Sequence, residues 1–277
     1  MSRFIAGNTP EPPGPGQLRL LDDLPPPAER PGPRLAVTGL VSYARCPRQC
    51  YWDFVERRPR PLRPAARIGS LVHGWIEREA AGQGSLLAVE GRELHQPPPE
   101  PGTDDAWVAE LKAAFRASPW AGRRPRAVER PFVLSAGATT VRGRVDAVYD
   151  LDSGSEATRR RQDEPPRLEI VDFKTGRRPA VDDAGAGFQL GLYALAAVDC
   201  WGRDPAELRT TEWYVREGAG VSRDWSAAGV DAVRERLAGV LDAVAAGRFG
   251  PVPGSYCGRC AHVAACPEGQ AATAIDS

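Results

Sequence analysis

The stretch VDFKTG, at residues 171–176, places Asp172 and Lys174 two positions apart at the end of an apolar run. Side chains alternate between the two faces of a β-strand, so these two are predicted to point the same way and Phe173 the opposite way. The chain has 36 lysine and arginine residues, but only Lys112 and Lys174 are lysine. An ammonium is a compact charge with a readily shifted pKa, whereas a guanidinium is planar and stays protonated. Lys174 is therefore predicted to fill a role that arginine would not.

A second aspartate lies on the preceding predicted strand. In GRVDAV, residues 143–148, Asp146 stands between Val145 and Ala147. A carboxylate is costly to bury in an apolar strand unless it is paired or binds a metal. Carboxylates of this kind suit Mg²⁺ or Mn²⁺. The alternative is that the aspartate and lysine of VDFKTG only form a salt bridge at a strand end.

Hydrophobic periodicity predicts helices in the first part of the chain and strands after them. Helices are predicted within residues 38–55, 66–80, 106–118, 187–201 and 227–247. Strands rich in Val, Ile, Phe and Tyr are predicted at residues 127–135, 139–151, 167–176 and 210–217. This order predicts an α/β fold with a central mixed sheet flanked by helices.

The two ends of the chain differ from its middle. Residues 1–36 are dominated by proline, glycine and charge, which predicts a disordered tail or linker. Residues 37–268 are predicted to form one domain, and residues 269–277 a flexible C-terminal tail. No run of 18 apolar residues and no signal sequence is present, which predicts a cytoplasmic protein that does not enter a membrane.

The formal net charge is zero, but arginine is concentrated between Arg45 and Arg67. A basic stretch of this kind suits phosphate groups. Its alternative interpretation is a solvated surface in an arginine-rich chain. By itself the stretch does not decide between a nucleic-acid partner and a plain surface.

Six cysteines are present, and three of them are closely spaced. The sequence CGRCAHVAAC contains Cys257, Cys260 and Cys266, and Cys46 lies far upstream with Cys50 four residues after it. Clustered cysteines in a reducing compartment favour a metal over disulfides. Four thiolates suffice for a [4Fe–4S] cluster or a structural Zn²⁺, and the spacing does not choose between them. His262 is a candidate for the fourth ligand of a Cys3His zinc site.

Four motifs, taken in order, resemble those of the PD-(D/E)XK nuclease superfamily. They are GSLVHGWIE at 69–77, GRVDAV at 143–148, VDFKTG at 171–176 and QLGLYALA at 189–196. The resemblance is to the RecB-like branch, which includes nuclease domains of bacterial helicase–nuclease recombination complexes and CRISPR adaptation exonucleases. It covers about residues 37–268 and implies a restriction-endonuclease-like core.

The resemblance also implies roles for individual residues. It makes Asp146, Asp172, His73 and the backbone carbonyl of Phe173 ligands of a divalent metal, Mg²⁺ or Mn²⁺. Lys174 would orient the attacking water and neutralise charge on the phosphate. Gln189 and Tyr193, four residues apart on one helical face, would face the active site or the DNA backbone. Glu129, in VERPF, is an accessory acidic residue in this interpretation.

A branch of the family with an iron–sulfur cluster places one cysteine before the histidine motif and three after the core. This layout implies that Cys46, Cys257, Cys260 and Cys266 hold a [4Fe–4S] cluster, with structural Zn²⁺ as the alternative. Cys46 is favoured over Cys50 because it precedes a proline, as in the family pattern. The cluster would tie the N-terminal helix to the C-terminal segment.

The function implied by the resemblance is that of a metal-dependent DNA nuclease, an exonuclease or a single-strand-preferring enzyme, in DNA repair or recombination. The expected partners are DNA, single-stranded or with free ends, and a superfamily 1 helicase. The chain itself has no G-x-x-x-x-G-K-[ST] phosphate loop. The alternatives are a catalytically inactive iron–sulfur DNA-binding or scaffold module, and a CRISPR-adaptation-type or RNA-processing nuclease. Intact Asp146, Asp172 and Lys174 favour the active enzyme.

Overall fold

A computed structural model describes residues 33–60, 64–80, 102–151, 166–178 and 184–275 of the chain. It contains a six-stranded mixed sheet with helices on both faces. The strands are β1 (Arg34–Ala36), β2 (Ala127–Ala136), β3 (Thr139–Asp150), β4 (Leu168–Lys174), β5 (Leu208–Tyr214) and β6 (Ala219–Asp224). The helices are α1 (Val37–Arg45), α2 (Pro47–Cys50), α3 (Pro64–Ala80), α4 (Asp104–Arg116), α5 (Ala184–Trp201), α6 (Ala227–Ala245) and α7 (Pro267–Ile275), and a π-helix spans Tyr51–Val55.

Strand β3 organises the sheet. The antiparallel β2 pairs with it along residues 139–148 and so occupies one edge. On the other edge, the parallel β1 pairs with residues 140–142 and the antiparallel β4 pairs with residues 147–150. Residues 143–146 of that edge therefore lie between two ladders. This interruption opens a notch in the sheet beside the end of β4.

Strands β4 and β5 are parallel and are joined by α5, so they form a β–α–β unit. Strand β6 then pairs antiparallel with β5. Because side chains alternate along a strand, β2, β3, β4 and β5 each contribute residues to two hydrophobic cores. One core lies between the sheet and helices α1, α5 and α6, and the other lies between the sheet and helices α3 and α4.

The glycine of the GRVDAV motif is required by packing. A Cβ atom built on Gly143 would lie 2.2 Å from the Phe132 ring and 2.7 Å from a methyl carbon of Val37. Any side chain here would collide with β2 and with the first residue of α1. Gly143 thus lets α1 pack close to the sheet just before Asp146.

The structure confirms the predicted fold class, a mixed α/β architecture with a central mixed sheet and helices on its faces. Two predicted boundaries need correction. The sheet already includes Arg34–Ala36, which the sequence assigns to the tail, because this short strand pairs with β3. The predicted C-terminal tail is helical over Pro267–Ile275, since this segment packs against the residues around Cys257.

The first predicted helix is divided in three by the structure. α1 begins directly after β1, with Ala36 as its N-cap, and α2 and the π-helix follow. Residues 1–32 of the predicted disordered tail lie outside the described residues. Within the described part of the chain, no helix has the length and apolar character needed to cross a membrane.

Candidate active site and cysteine cluster

The candidate active site lies at the notch in the sheet edge. β3 and β4 pair only as far as Ala147 and Val171, after which the two strands separate. Beyond this point a side-chain hydrogen bond connects the two strands in place of backbone hydrogen bonds. The Oδ2 atom of Asp146 accepts it from the Phe173 amide at 2.9 Å. This bond anchors the first acidic motif to the second, across 27 residues of sequence. The sheet itself therefore fixes the distance between the two motifs.

Three potential metal ligands converge beside this bond. The Nδ1 atom of His73, on α3, lies 3.5 Å from the Oδ2 atom of Asp146. Ligand atoms of His73, Glu129 and Asp146 all lie within 4.8 Å of one another. Glu129 occupies β2 with a positive φ of 49°, which is unusual for a residue other than glycine. Strained backbone of this kind is often found at functional sites, and here it accompanies a carboxylate at the notch.

The pKa shifts of this group fit a buried site that lacks a counter-charge, which a cation would supply. Burial, followed by the neighbouring Asp172, raises the pKa of Asp146 to about 8. Burial also raises the pKa of Glu129. For His73, burial lowers the pKa, which leaves the imidazole in its neutral, metal-binding form. Buried carboxylates that resist ionisation, next to a neutral imidazole, are stabilised as ligands by a divalent ion, so the residues present fit one.

Asp172 faces a second set of partners on α5. Its Oδ1 accepts hydrogen bonds from the Gln189 side-chain amide at 3.0 Å and from the Tyr193 hydroxyl at 3.3 Å. Its Oδ2 contacts the Lys174 ammonium. Gln189 Oε1 also accepts from the Lys174 ammonium at 2.9 Å, and its amide lies 2.7 Å from the Tyr193 hydroxyl. One glutamine therefore links the aspartate, the lysine and the tyrosine.

Lys174 is held in its charged form. Burial opposes that form, but contact with Asp172 and the nearby Glu212 outweigh it and raise the pKa of the lysine above its ordinary value. The Tyr193 hydroxyl stays protonated, because burial and then Asp172 raise its pKa well above the usual range. The site thus presents a fixed ammonium and a fixed hydroxyl beside its carboxylates.

The structure brings together most of the residues that the sequence singles out, with some differences. His73 and Asp146 lie together, and a backbone hydrogen bond links the His73 ring to Phe173. Glu129, expected to be accessory, joins their compact set of ligand atoms, whereas Asp172 is engaged with α5 and Lys174.

Glu212, which lies near Lys174, was not identified from the sequence. Its signal in the sequence is a charged residue inside the otherwise uncharged TTEWY.

The four cysteines implied by the family layout lie around one cavity near the chain ends. It is lined by the thiols of Cys46, Cys257, Cys260 and Cys266. Three of these sulfur atoms accept a hydrogen bond from a backbone amide, each at 3.4 Å. The pairs are Gly254 to Cys257, His262 to Cys260 and Gly269 to Cys266. A Cβ atom on Gly269 would lie 3.4 Å from the Cys266 sulfur and 3.7 Å from the Cys257 sulfur. The glycine thus leaves this cavity open between two thiols.

The remaining candidate ligands have other partners. Cys50 donates its thiol to the Gly39 carbonyl at 3.4 Å, and burial raises its pKa to about 11. His262 has its Nε2 2.7 Å from a carboxylate oxygen of Asp53, and its ring packs edge-on against Trp52. These contacts tie the C-terminal segment to the N-terminal helices. They leave Cys46 as the better-placed upstream thiol, and His262 as a structural residue.

We expect divalent ions to stabilise the folded protein. A ligand that binds only the folded state at 100 times its Kd contributes about 2.7 kcal/mol. Titration of the chelator-treated protein with Mn²⁺ should therefore raise its Tm, measured by circular dichroism. Asp146→Asn should abolish this shift, because it removes a charged ligand while keeping the acceptor for the Phe173 amide.

Asp150→Asn is the matched control for that titration. Asp150 lies on the same strand and pairs with Arg126, outside the compact ligand set. It should leave the Mn²⁺-induced rise in Tm intact. An unchanged shift in Asp146→Asn would remove Asp146 from the metal site.

A comparison with models of protein families identifies one family for this chain. A model of the PD-(D/E)XK nuclease superfamily matches residues 34–267 of the chain. No curated protein matches it significantly in sequence. Among solved structures, that of SSO0001 is 13% identical with a TM-score of 0.40, covering 87% of this chain and 88% of that one. A "putative exonuclease" from Eubacterium rectale is 12% identical with a TM-score of 0.47, covering 79% of this chain and 83% of that one.

Proposed function

We infer the activity of this chain from the family to which it belongs, the PD-(D/E)XK nuclease superfamily. We propose that it is a DNA nuclease that depends on Mg²⁺ or Mn²⁺ and hydrolyses phosphodiester bonds. The observation that carries the proposal is the contact of the Lys174 ammonium with Asp172, beside the compact set of His73, Glu129 and Asp146. A non-catalytic protein has no evident use for this arrangement.

Each residue has a task in hydrolysis. His73, Glu129 and Asp146 would hold the divalent ion, and Asp172 would supply a further carboxylate beside them. When bound, the ion lowers the pKa of a water and withdraws charge from the phosphate. Lys174 places its ammonium next to the phosphate oxygens, where negative charge grows in the transition state. Gln189 and Tyr193 fix the side chains of Asp172 and Lys174 by hydrogen bonds. These two side chains therefore need to move little when the substrate reacts.

Basic residues near the N-terminus support a nucleic-acid substrate. The segment from Arg45 to Arg60 contains five arginines against Asp53 and Glu56. Phe54 is 42% exposed, and the Arg60 guanidinium lies 5.6 Å from its ring centroid. An exposed aromatic ring flanked by arginines offers stacking to bases and charge to phosphates. This surface favours single-stranded DNA or a frayed end as the substrate.

The cysteine cavity supports a [4Fe–4S] cluster over zinc. Tetrahedral zinc, with bonds of about 2.3 Å, would draw its sulfur ligands to within about 4 Å of one another. Among the residues that the structure describes, only His73, Glu129 and Asp146 place three such ligand atoms within 4.8 Å. Among the described residues, the four thiols are therefore not drawn together as around a single zinc ion. We propose that the cluster is structural and joins the two ends of the domain.

The cellular role follows from the family resemblance. We propose that the nuclease acts in DNA repair or recombination, on ends exposed by a superfamily 1 helicase that is a separate partner. The exonuclease mode and this partnership rest on the four motifs and on the arginine segment. A pull-down of the purified protein with candidate helicases would test the partnership directly.

A cleavage assay tests the activity. End-labelled single-stranded and double-stranded DNA, and RNA of the same sequence, are incubated with Mg²⁺, with Mn²⁺ or with chelator. The wild type should shorten DNA only when the metal is present, and Asp172→Ala should not. Faster cleavage of RNA would favour an RNA-processing nuclease. DNA binding without cleavage under every condition would favour the inactive scaffold module.

A further inference from the structure

A buried carboxylate next to Lys174 lies outside the proposed metal site. Glu212, on β5, is the register neighbour of Asp172 on β4, and both are 4% exposed. Its Oε1 lies 3.8 Å from the Lys174 ammonium, and its Oε2 accepts a hydrogen bond from the Tyr214 hydroxyl at 3.0 Å. A carboxylate buried this deeply is costly without an opposite charge. The opposite charge here is Lys174.

Lys174 therefore lies between two carboxylates on neighbouring strands. Asp172 contacts it from β4, and Glu212 approaches it from β5. Its third partner, Gln189, offers only a neutral amide oxygen. Neither carboxylate belongs to the compact set of His73, Glu129 and Asp146 found among the described residues. The charge of Asp172, however, acts on both Asp146 and His73, which places Asp172 beside that set. The two carboxylates can thus divide their work between the ion and the lysine.

We propose that Glu212 is a positioning residue that holds the Lys174 ammonium in place while Asp172 serves the divalent ion. The inference rests on the proposed nuclease function and deepens it. An ion beside Asp172 competes with the lysine for that carboxylate and repels the ammonium. Glu212 keeps a second attractive charge 3.8 Å from the ammonium. Tyr214, whose hydroxyl donates to Glu212, fixes the direction of this carboxylate.

Glu212→Gln tests the proposal, because it keeps the size of the side chain and an oxygen acceptor for Tyr214 but removes the charge. We expect kcat for DNA cleavage to fall by about 10- to 100-fold, the scale on which a misplaced catalytic group acts. The KM for DNA and the Mn²⁺ concentration giving half-maximal activity should stay at the wild-type values. A change in that Mn²⁺ concentration would instead make Glu212 a metal ligand and overturn the proposal.

Glu169→Gln is the matched control. Glu169 is a buried carboxylate of the same sheet, on β4, and it accepts a hydrogen bond from Thr211 at 2.7 Å. Its side chain points to the opposite face from Asp172. This variant should keep the wild-type kcat. Equal losses of kcat in Glu169→Gln and Glu212→Gln would reduce Glu212 to a structural role and overturn the proposal.

Two further measurements cover the case in which Glu212→Gln does not fold. Tyr214→Phe keeps the ring but removes the hydroxyl donor, so kcat should fall by about threefold to tenfold at an unchanged KM. A double-mutant cycle measures the coupling between Lys174 and Glu212. The variants are Lys174→Met, Glu212→Gln and the double variant, with Glu212→Asp replacing Glu212→Gln if the latter does not fold, and each is unfolded with urea in the presence of chelator. We expect the equilibrium constant for unfolding of the double variant to differ by at least about threefold from the value that the two single variants predict together.

The cycle also separates this inference from the proposed function. If the wild type does not cleave nucleic acid at all, the proposed function fails, while coupling between Lys174 and Glu212 can still be measured. If the wild type cleaves DNA but the cycle is additive and Tyr214→Phe keeps the wild-type kcat, the inference fails and the nuclease function stands.

Discussion

Replacing Lys174 by alanine should reduce the rate of DNA cleavage by about 10²- to 10³-fold, the effect of removing one preorganised charge-stabilising group from an active site. The loss is expected in kcat, because the ammonium meets charge that develops only in the transition state. DNA affinity, measured by fluorescence anisotropy with Ca²⁺ in place of Mg²⁺, should change little. The measurement is single-turnover cleavage of an end-labelled strand.

Lys112→Ala is the natural control, since Lys112 is the other lysine of the chain. It lies on α4, with its ammonium 5.6 Å from the ring centroid of Trp75, on the far side of the sheet from α5. We expect wild-type cleavage from this variant. If Lys174→Ala cleaved as fast as Lys112→Ala, the ammonium would have no part in the chemistry.

Lys174→Arg should be almost as damaging as Lys174→Ala. The present ammonium is placed against Asp172, Gln189 and Glu212 within a partly buried space. A planar guanidinium is broader, and it cannot present one compact charge to all three oxygens. The variant would keep the charge, so its loss of activity would separate shape and position from charge alone.

Replacing Cys257 by serine should remove the metal cluster and leave most of the protein unfolded or aggregated. Metal binding at structural sites contributes on the order of 10 kcal/mol, as in zinc-finger peptides, which equals or exceeds the whole stability of many domains. Protein purified without oxygen should be brown, because iron bound by thiolates absorbs visible light. The serine variant should lack both the colour and the cooperative thermal transition.

Cys200→Ser is the matched control for the cluster. The Cys200 thiol donates to the Val133 carbonyl at 3.3 Å, and a hydroxyl can make the same bond. This variant should keep the colour and fold with a similar Tm. A colourless wild type that carries one zinc per chain would overturn the iron–sulfur assignment, while a stable, brown Cys257→Ser protein would remove Cys257 from the ligand set.

The sequence was sufficient for the fold class because that information is local. Alternation in VDFKTG and its neighbours identifies strands, and helical spacing in QLGLYALA identifies the helix that crosses between them. The two motif aspartates also stand out locally, since charge inside an apolar strand has a cost that only pairing or a metal offsets. The spacing of the cysteines likewise indicated a metal without any structure.

Other features depend on which parts of the chain meet in space. Glu129 belongs with His73 and Asp146 only because β2 pairs with β3 and α3 covers the notch. Glu212 approaches Lys174 only because β5 lies parallel to β4 in a particular register. The local sequence does not show which side chains these two glutamates contact, because acidic residues are also common on solvated protein surfaces.

The sequence by itself determined the class of fold, the motif residues and the presence of a cysteine cluster, because periodicity and spacing are properties of neighbouring residues. The tertiary structure decided which acidic residues lie beside His73 and which lie beside Lys174, and that Cys46 rather than Cys50 lines the thiol cavity. The physical reason is that electrostatic and ligand interactions act across a few ångströms of space, and only strand register together with helix packing sets those distances.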